Sequence, residues 1–126
     1  MKITGIVSAG KRVGRTLGFP TANITPDDGM ALPARDGVYA ARVTLCDGRA
    51  LACVLNKGKH PTLPEGAPTV EAFILDFHED LYGQRVGVEF LAFLRPEQRF
   101  ESPQALRAQI AQDVERTREW FRERAR

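Results

Sequence analysis

The chain has 126 residues, 43% of them hydrophobic and 27% charged, with a formal net charge of +2. That length suits one domain with its own core, and the composition excludes disorder. No run approaches the ~18 apolar residues of a membrane-spanning helix, and the charge is too weak for the basic stripe of a duplex-binding protein. The short apolar patch of "MKITGIVSAGKR" ends in charges, unlike a signal peptide, so a cytoplasmic protein is expected, with neither membrane nor nucleic acid as partner.

Residues 2–9 read as a strand, and residues 10–37 as a long stretch punctuated by Gly and Pro, with one short strand inside. A hairpin follows over 38–56, turning at Asp47-Gly48. A two-residue turn there sets Leu45 opposite Ala50, Val43 opposite Ala52 and Arg42 opposite Cys53. Cys46 and Cys53 then lie roughly 13 Å apart along the ladder at ~3.3 Å per residue. A disulfide needs Cα atoms within about 7 Å, so both are expected as free thiols of a reducing compartment. A second loop, 57–68, carries three prolines. Residues 69–78 and 83–95 are apolar runs read as strands that pair across the tight connection "EDLY". At the C-terminus the spacing predicts a helix over about 103–124, with Ser102 as N-cap and Pro103 in its first position. Its apolar face is Leu106, Ile110, Val114, Thr117 and Phe121, with charges elsewhere. The order of elements points to an antiparallel barrel or Greek-key sheet, and loops totalling about 40 residues point to function.

"GIVSAGKR" (5–12) comes near a P-loop, but Arg12 stands where a Ser or Thr should hold Mg²⁺, and no helical pattern follows before Pro20. Gly10, Gly14 and Gly18, with Lys11, Arg12 and Arg15, form either a backbone nest for an anion or a solvated loop that needs turns. In "PTAN", Thr21 and Asn23 share one face of an extended chain and offer a hydroxyl and an amide carbonyl, hard oxygen donors that Mg²⁺ accepts; a turn cap and an ordinary strand residue are the alternative. Glu71 shares a face with Phe73, Leu75 and Phe77 by the period of two. A carboxylate so placed sits at a mouth, pairs with a cation, titrates high as a general base, or simply reaches water from a strand end. His60 and His78 read as surface residues without zinc spacing, and Trp120 and Phe121 as cover for the core.

The pieces "GRTLGFPTAN" (14–23), "DGVYAARV" (36–43), "NKGKHPT" (56–62), "TVEAFILDF" (69–77) and "DLYGQRVGVEFLAFLRPEQRF" (80–100), followed by "ALRAQIAQDVE" (105–115), span nearly the whole chain. In that order the sequence resembles the ATP-dependent riboflavin kinases, the flavokinase module fused in most bacteria behind an FMN adenylyltransferase domain. The resemblance implies a mainly β fold, a six-stranded antiparallel Greek-key barrel with one C-terminal helix. It implies a single riboflavin kinase domain over 1–126, without an adenylyltransferase domain, either free-standing or a fragment of a bifunctional chain, and a monomer in the former case. The implied reaction transfers the γ-phosphate of Mg-ATP to the ribityl 5′-hydroxyl of riboflavin, giving FMN and ADP.

In the implied site Glu71 is the catalytic base, Thr21 and Asn23 hold Mg²⁺, and Gly10, Gly14, Arg15 and Gly18 surround the ATP phosphates. Phe77 and Tyr82 lie near the nucleotide, and Arg95 and Glu97 border the flavin. Departures from the common pattern are Ala9, and the charged Lys57, Lys59 and His60 in a loop near the pocket. The rival readings are a flavin-binding or flavin-sensing module that kept the fold without turnover, and a small RNA-binding barrel. Thr21, Asn23 and Glu71 together argue against the first, and phenylalanines that fall mostly on apolar runs against the second.

Overall fold

The computed structural model describes residues 1–8, 18–59 and 68–125. Within them six strands, β1 (Lys2–Ser8), β2 (Ala22–Pro26), β3 (Gly37–Thr44), β4 (Ala50–Lys59), β5 (Pro68–Ile74) and β6 (Arg85–Arg95), precede one helix, α1 (Pro103–Arg124). The strands close into an antiparallel barrel in the order β1-β2-β5-β4-β3-β6. Closure leaves no sheet edge exposed.

Alternation along the strands builds two apolar layers. Ile3, Ile24, Leu55, Val70 and Val88 point into the barrel. On the outer face Val38, Val54 and Leu75 meet Val114 of α1. Strand β3 is buried at six of its eight positions because it faces both layers. Each aliphatic side chain so buried contributes about 1.5–3 kcal/mol. Helix α1 begins as its sequence dictates: the Ser102 hydroxyl accepts from the Ala105 N–H, and Pro103 opens the first turn. No helix among the described residues is long and apolar enough to cross a membrane.

Two expectations about pairing are corrected. The hairpin between β3 and β4 pairs Thr44 with Ala50, Val43 with Leu51, Arg42 with Ala52 and Ala41 with Cys53, one residue out of the expected register. The Leu45 N–H donates to the Arg49 carbonyl and the Gly48 N–H to the Leu45 carbonyl, so the loop is three residues, with Gly48 at φ 93°. A type I turn followed by a left-handed glycine absorbs the extra residue. Cys46 and Cys53 remain free thiols, exposed and buried respectively; burial pushes the Cys53 thiol well up from its ordinary value.

Strands β5 and β6 do not pair with each other. β5 lies between β2 and β4, and β6 between β1 and β3. After β5 the chain crosses the barrel end and buries Leu81 in the core, 6% exposed. It then joins β1 through Gly83 N–H to Val7 carbonyl and Val7 N–H to Gln84 carbonyl, both within 2.9 Å. What reads as a tight turn is a crossover that caps the barrel.

Candidate active site

Two cavities adjoin. The first, about 380 Å³, opens at the barrel end where β1 and β5 finish and β2 begins, and the crossover forms its far wall. The second, about 290 Å³, lies on the outer face of β3–β5 beneath α1. Thr21 lines both.

The sequence around Thr21 explains that position. Gly18 adopts φ 87°, a conformation that side chains disfavour. Phe19 then packs edge-on against Phe73 of β5, ring centroids 5.3 Å apart. Pro20 and Thr21 lead directly into β2. Asn23 pairs with Glu71 across β2 and β5, and Glu71 pairs with Asn56 across β5 and β4. Directly opposed residues share a face with Cβ atoms roughly 5 Å apart. An amide, a carboxylate and a second amide therefore stand in one row, with Glu71 in the wall of the helix-side cavity and Asn23 in that of the barrel-end cavity. Glu71 is half-buried and lines the helix-side cavity.

The row continues through Val38 to Arg95 at the end of β6. Arg95 lines the helix-side cavity, with its guanidinium directed at Asp113 of α1: Nη2 donates to Oδ2 at 2.7 Å and Nε to Oδ1 at 2.9 Å. Gln109 adds a donor to Asp113 at 3.1 Å. The Asp113 side chain is 1% exposed and that of Arg95 13%. The expectation that charges avoid the packed face of α1 is thus overturned at Asp113. The sequence carried a signal: Asp113 lies three residues after Ile110 and four before Thr117, on the helix stripe that packs inward. Asn56 carries no such signal, because only the barrel order reveals it beside Glu71.

Glu97 reaches over β4, where a Cβ on Gly58 would come within 2.6 Å of its carboxylate. Burial first, and then the charge of Asp36, hold the Glu97 carboxyl above its usual range. Lys57 belongs to β4 and is buried on Asp36 at 2.5 Å, so its charge is neutralised within the fold and not displayed on a loop.

Phe77, His78 and Tyr82 meet at the barrel-end cavity, and Tyr82 is 64% exposed. Phe77 does not share a face with Glu71. Strand β5 ends at Ile74, and Asp76 takes a left-handed conformation (φ 55°). Leu75 stays in the outer layer with Phe73, and the twist after it turns Phe77 against the inner one. Arg49 braces this wall from the hairpin, with two hydrogen bonds to Glu79 at 2.6 and 3.0 Å. Gly10, Gly14, Arg15 and His60 lie outside the described residues. Of the remaining expected residues, Gly18 stands three positions before Thr21, and Thr21, Asn23, Glu71, Phe77, Tyr82, Arg95 and Glu97 all line one cavity or the other.

Fold and cavities define the class: a small Greek-key barrel protein with two ligand-sized cavities side by side. The chain belongs to the riboflavin kinase family, since the family model described as "Flavokinase: Riboflavin kinase" matches residues 1–121. It is 41% identical over 120 residues to a bifunctional riboflavin kinase/FMN adenylyltransferase of Haemophilus influenzae, covering 95% of this chain and 38% of that relative. The chain therefore spans well under half the length of that curated relative. Among solved structures, one described as a macrolide-efflux protein from Streptococcus pneumoniae superposes with a TM-score of 0.87 at 35% identity, over 94% of this chain and 38% of that one. The riboflavin kinase of Trypanosoma brucei does so with a TM-score of 0.70 at 28% identity, over 96% and 79%.

Proposed function

We propose that residues 1–126 act as one riboflavin kinase domain, transferring the γ-phosphate of ATP to the ribityl 5′-hydroxyl of riboflavin to give FMN and ADP. The observation that carries this reading is the junction: Thr21 lines both cavities, and Asn23 and Glu71 oppose each other beside it. ATP occupies the barrel-end cavity, with Phe77 and Tyr82 beside the nucleotide and the glycine-rich stretch through Gly18 at the phosphates. Riboflavin occupies the helix-side cavity, its ring between Phe19 or Phe73 and the face of α1, with Arg95 and Glu97 at its border. The reaction line then passes Thr21. The free thiols of Cys46 and Cys53 suit the reducing cytoplasm.

The donor set fits Mg²⁺ carried by a nucleotide. Thr21 and Asn23 supply two neutral hard oxygens, and among the described residues no group of three or more His, Cys, Asp or Glu gathers. Such an ion keeps water and phosphate as its remaining ligands. When bound, Mg²⁺ neutralises phosphate charge during transfer.

Glu71 accepts the proton of the attacking hydroxyl, a role that contributes about 10²- to 10⁴-fold. The apolar walls exclude water, and the paired Arg95 and Asp113 fix α1 against β6 so that the flavin is oriented. Incubation with riboflavin and Mg-ATP, followed by chromatography of the flavins, tests the reading. FMN and ADP should form in equal amounts, and Glu71→Gln should lower the rate by that same factor of about 10² to 10⁴. FMN from both proteins removes Glu71 from its role. Tight riboflavin binding without FMN makes the chain a flavin-binding module.

A further inference from the structure

Asp76 stands where the chain passes from the outer layer of β5 to the wall of the barrel-end cavity. It follows Leu75, which packs in the layer shared with α1, and precedes Phe77, which walls the barrel-end cavity. It is the one non-glycine residue with positive φ among the described residues. Asp tolerates that conformation better than most residues, yet it persists only where the surroundings fix it. Arg118 of α1 is one such contact, its Nη1 and Nη2 donating to the two carboxylate oxygens at 2.9 and 3.0 Å. A two-point guanidinium–carboxylate contact fixes orientation as well as distance. Arg118 lies less than two turns beyond Asp113, on the same helix that walls the other cavity.

We propose that Arg118, acting through Asp76, is a positioning residue for the nucleotide: it sets the conformation in which 77–82 leave β5 and so shapes the barrel-end cavity. The inference rests on reading that cavity as the ATP side. It has a counter-intuitive consequence, because Arg118 belongs to the helix beside the flavin yet acts on the other substrate. Arg49, holding Glu79 from the hairpin, fixes the middle of the same segment. Arg118 fixes its start.

The test uses the full chain with Arg118→Gln, Arg118→Lys and Asp76→Asn. Asn keeps the tolerance for positive φ but loses the charge. Arg118→Gln and Asp76→Asn should each raise the KM for ATP about fivefold, the upper range for an exposed pair, with the KM for riboflavin unchanged. Arg118→Lys should restore part of the loss, since Lys keeps the charge without the fork. If Arg118 served only to dock the helix, the riboflavin KM would rise equally and the inference would fall. Amide hydrogen exchange supplies a readout that needs no turnover. Exchange across 77–82 should quicken in both neutralising variants while β1–β6 stay protected. Unchanged exchange there overturns the positioning role even if the wild type makes FMN, whereas faster exchange in a chain that makes no FMN upholds it and removes only the nucleotide assignment.

Discussion

The two cavities share Thr21 and little else. The helix-side cavity is walled by strands and a helix, its apolar side chains come from the layer of Val38, Val54 and Val114, and its principal charge pair is sealed within that wall at Arg95 and Asp113. The barrel-end cavity is walled largely by an irregular crossover, exposes Tyr82, and is held by the solvent-facing pairs of Arg49 with Glu79 and Arg118 with Asp76. The difference separates two ways of making a binding wall. One buries its principal charges, Arg95 and Asp113, and depends on both partners being present. The other leaves them wet, where each contact is weak and the conformation rests on several.

The largest test of this contrast is Asp113→Ala. It strands a guanidinium that is 13% exposed, and breaking a buried pair by removing one partner costs about 3 kcal/mol or more. Urea unfolding should show that loss, and steady-state kinetics should show a raised riboflavin KM with the ATP KM unmoved. A loss no larger than that of Asp76→Asn would mean the two walls do not differ as described. Gly58→Ala is smaller. Its Cβ would meet the end of a flexible carboxylate side chain, not backbone, so Glu97 swings aside and stability changes by less than about 1 kcal/mol. The riboflavin KM should rise at most about fivefold; a raised ATP KM instead would place Glu97 on the wrong side of the junction.

The same contrast governs what could be read from the sequence. Strands, helix limits and the cap at Ser102 follow from local rules, and Asn23 and Glu71 on strands, with Thr21 just before β2, stand out as candidates by residue type and spacing. The row of Asn23, Glu71 and Asn56 was not, because it depends on β5 lying between β2 and β4, a long-range choice made by barrel closure. The period of two carried Glu71, Phe73 and Leu75 correctly and failed at Phe77, since one left-handed residue, Asp76, reverses the alternation. "EDLY" resembled a turn because its polar residues face water, while the Leu81 that anchors it in the barrel is a single apolar side chain without periodicity. The hairpin slipped by one for a comparable reason: Asp-Gly signals a turn but does not state whether two residues or three span it.

The smallest effect is a pair of opposed pH slopes. Hydrogen bonds from Arg118 hold the Asp76 carboxyl below its ordinary 3.8, and those from Arg49 hold Glu79 below its ordinary 4.5. The unfolded chain then binds more protons than the folded one in that window. The contribution is complete above the ordinary values and is lost as pH falls through the folded ones. Glu97 is the reverse case. Burial raises its carboxyl above 4.5, the folded chain binds more protons, and stability declines as pH rises from 4.5 through the folded value. Urea midpoints against pH should therefore diverge in opposite directions. Glu97→Gln should gain on the wild type as pH rises above 4.5, having lost the penalty of ionising a partly desolvated acid. Asp76→Asn should trail the wild type at neutral pH and draw level as pH falls below 3.8. Parallel curves for all three proteins would mean that neither carboxyl senses its surroundings, and the wet and dry walls would be alike electrostatically.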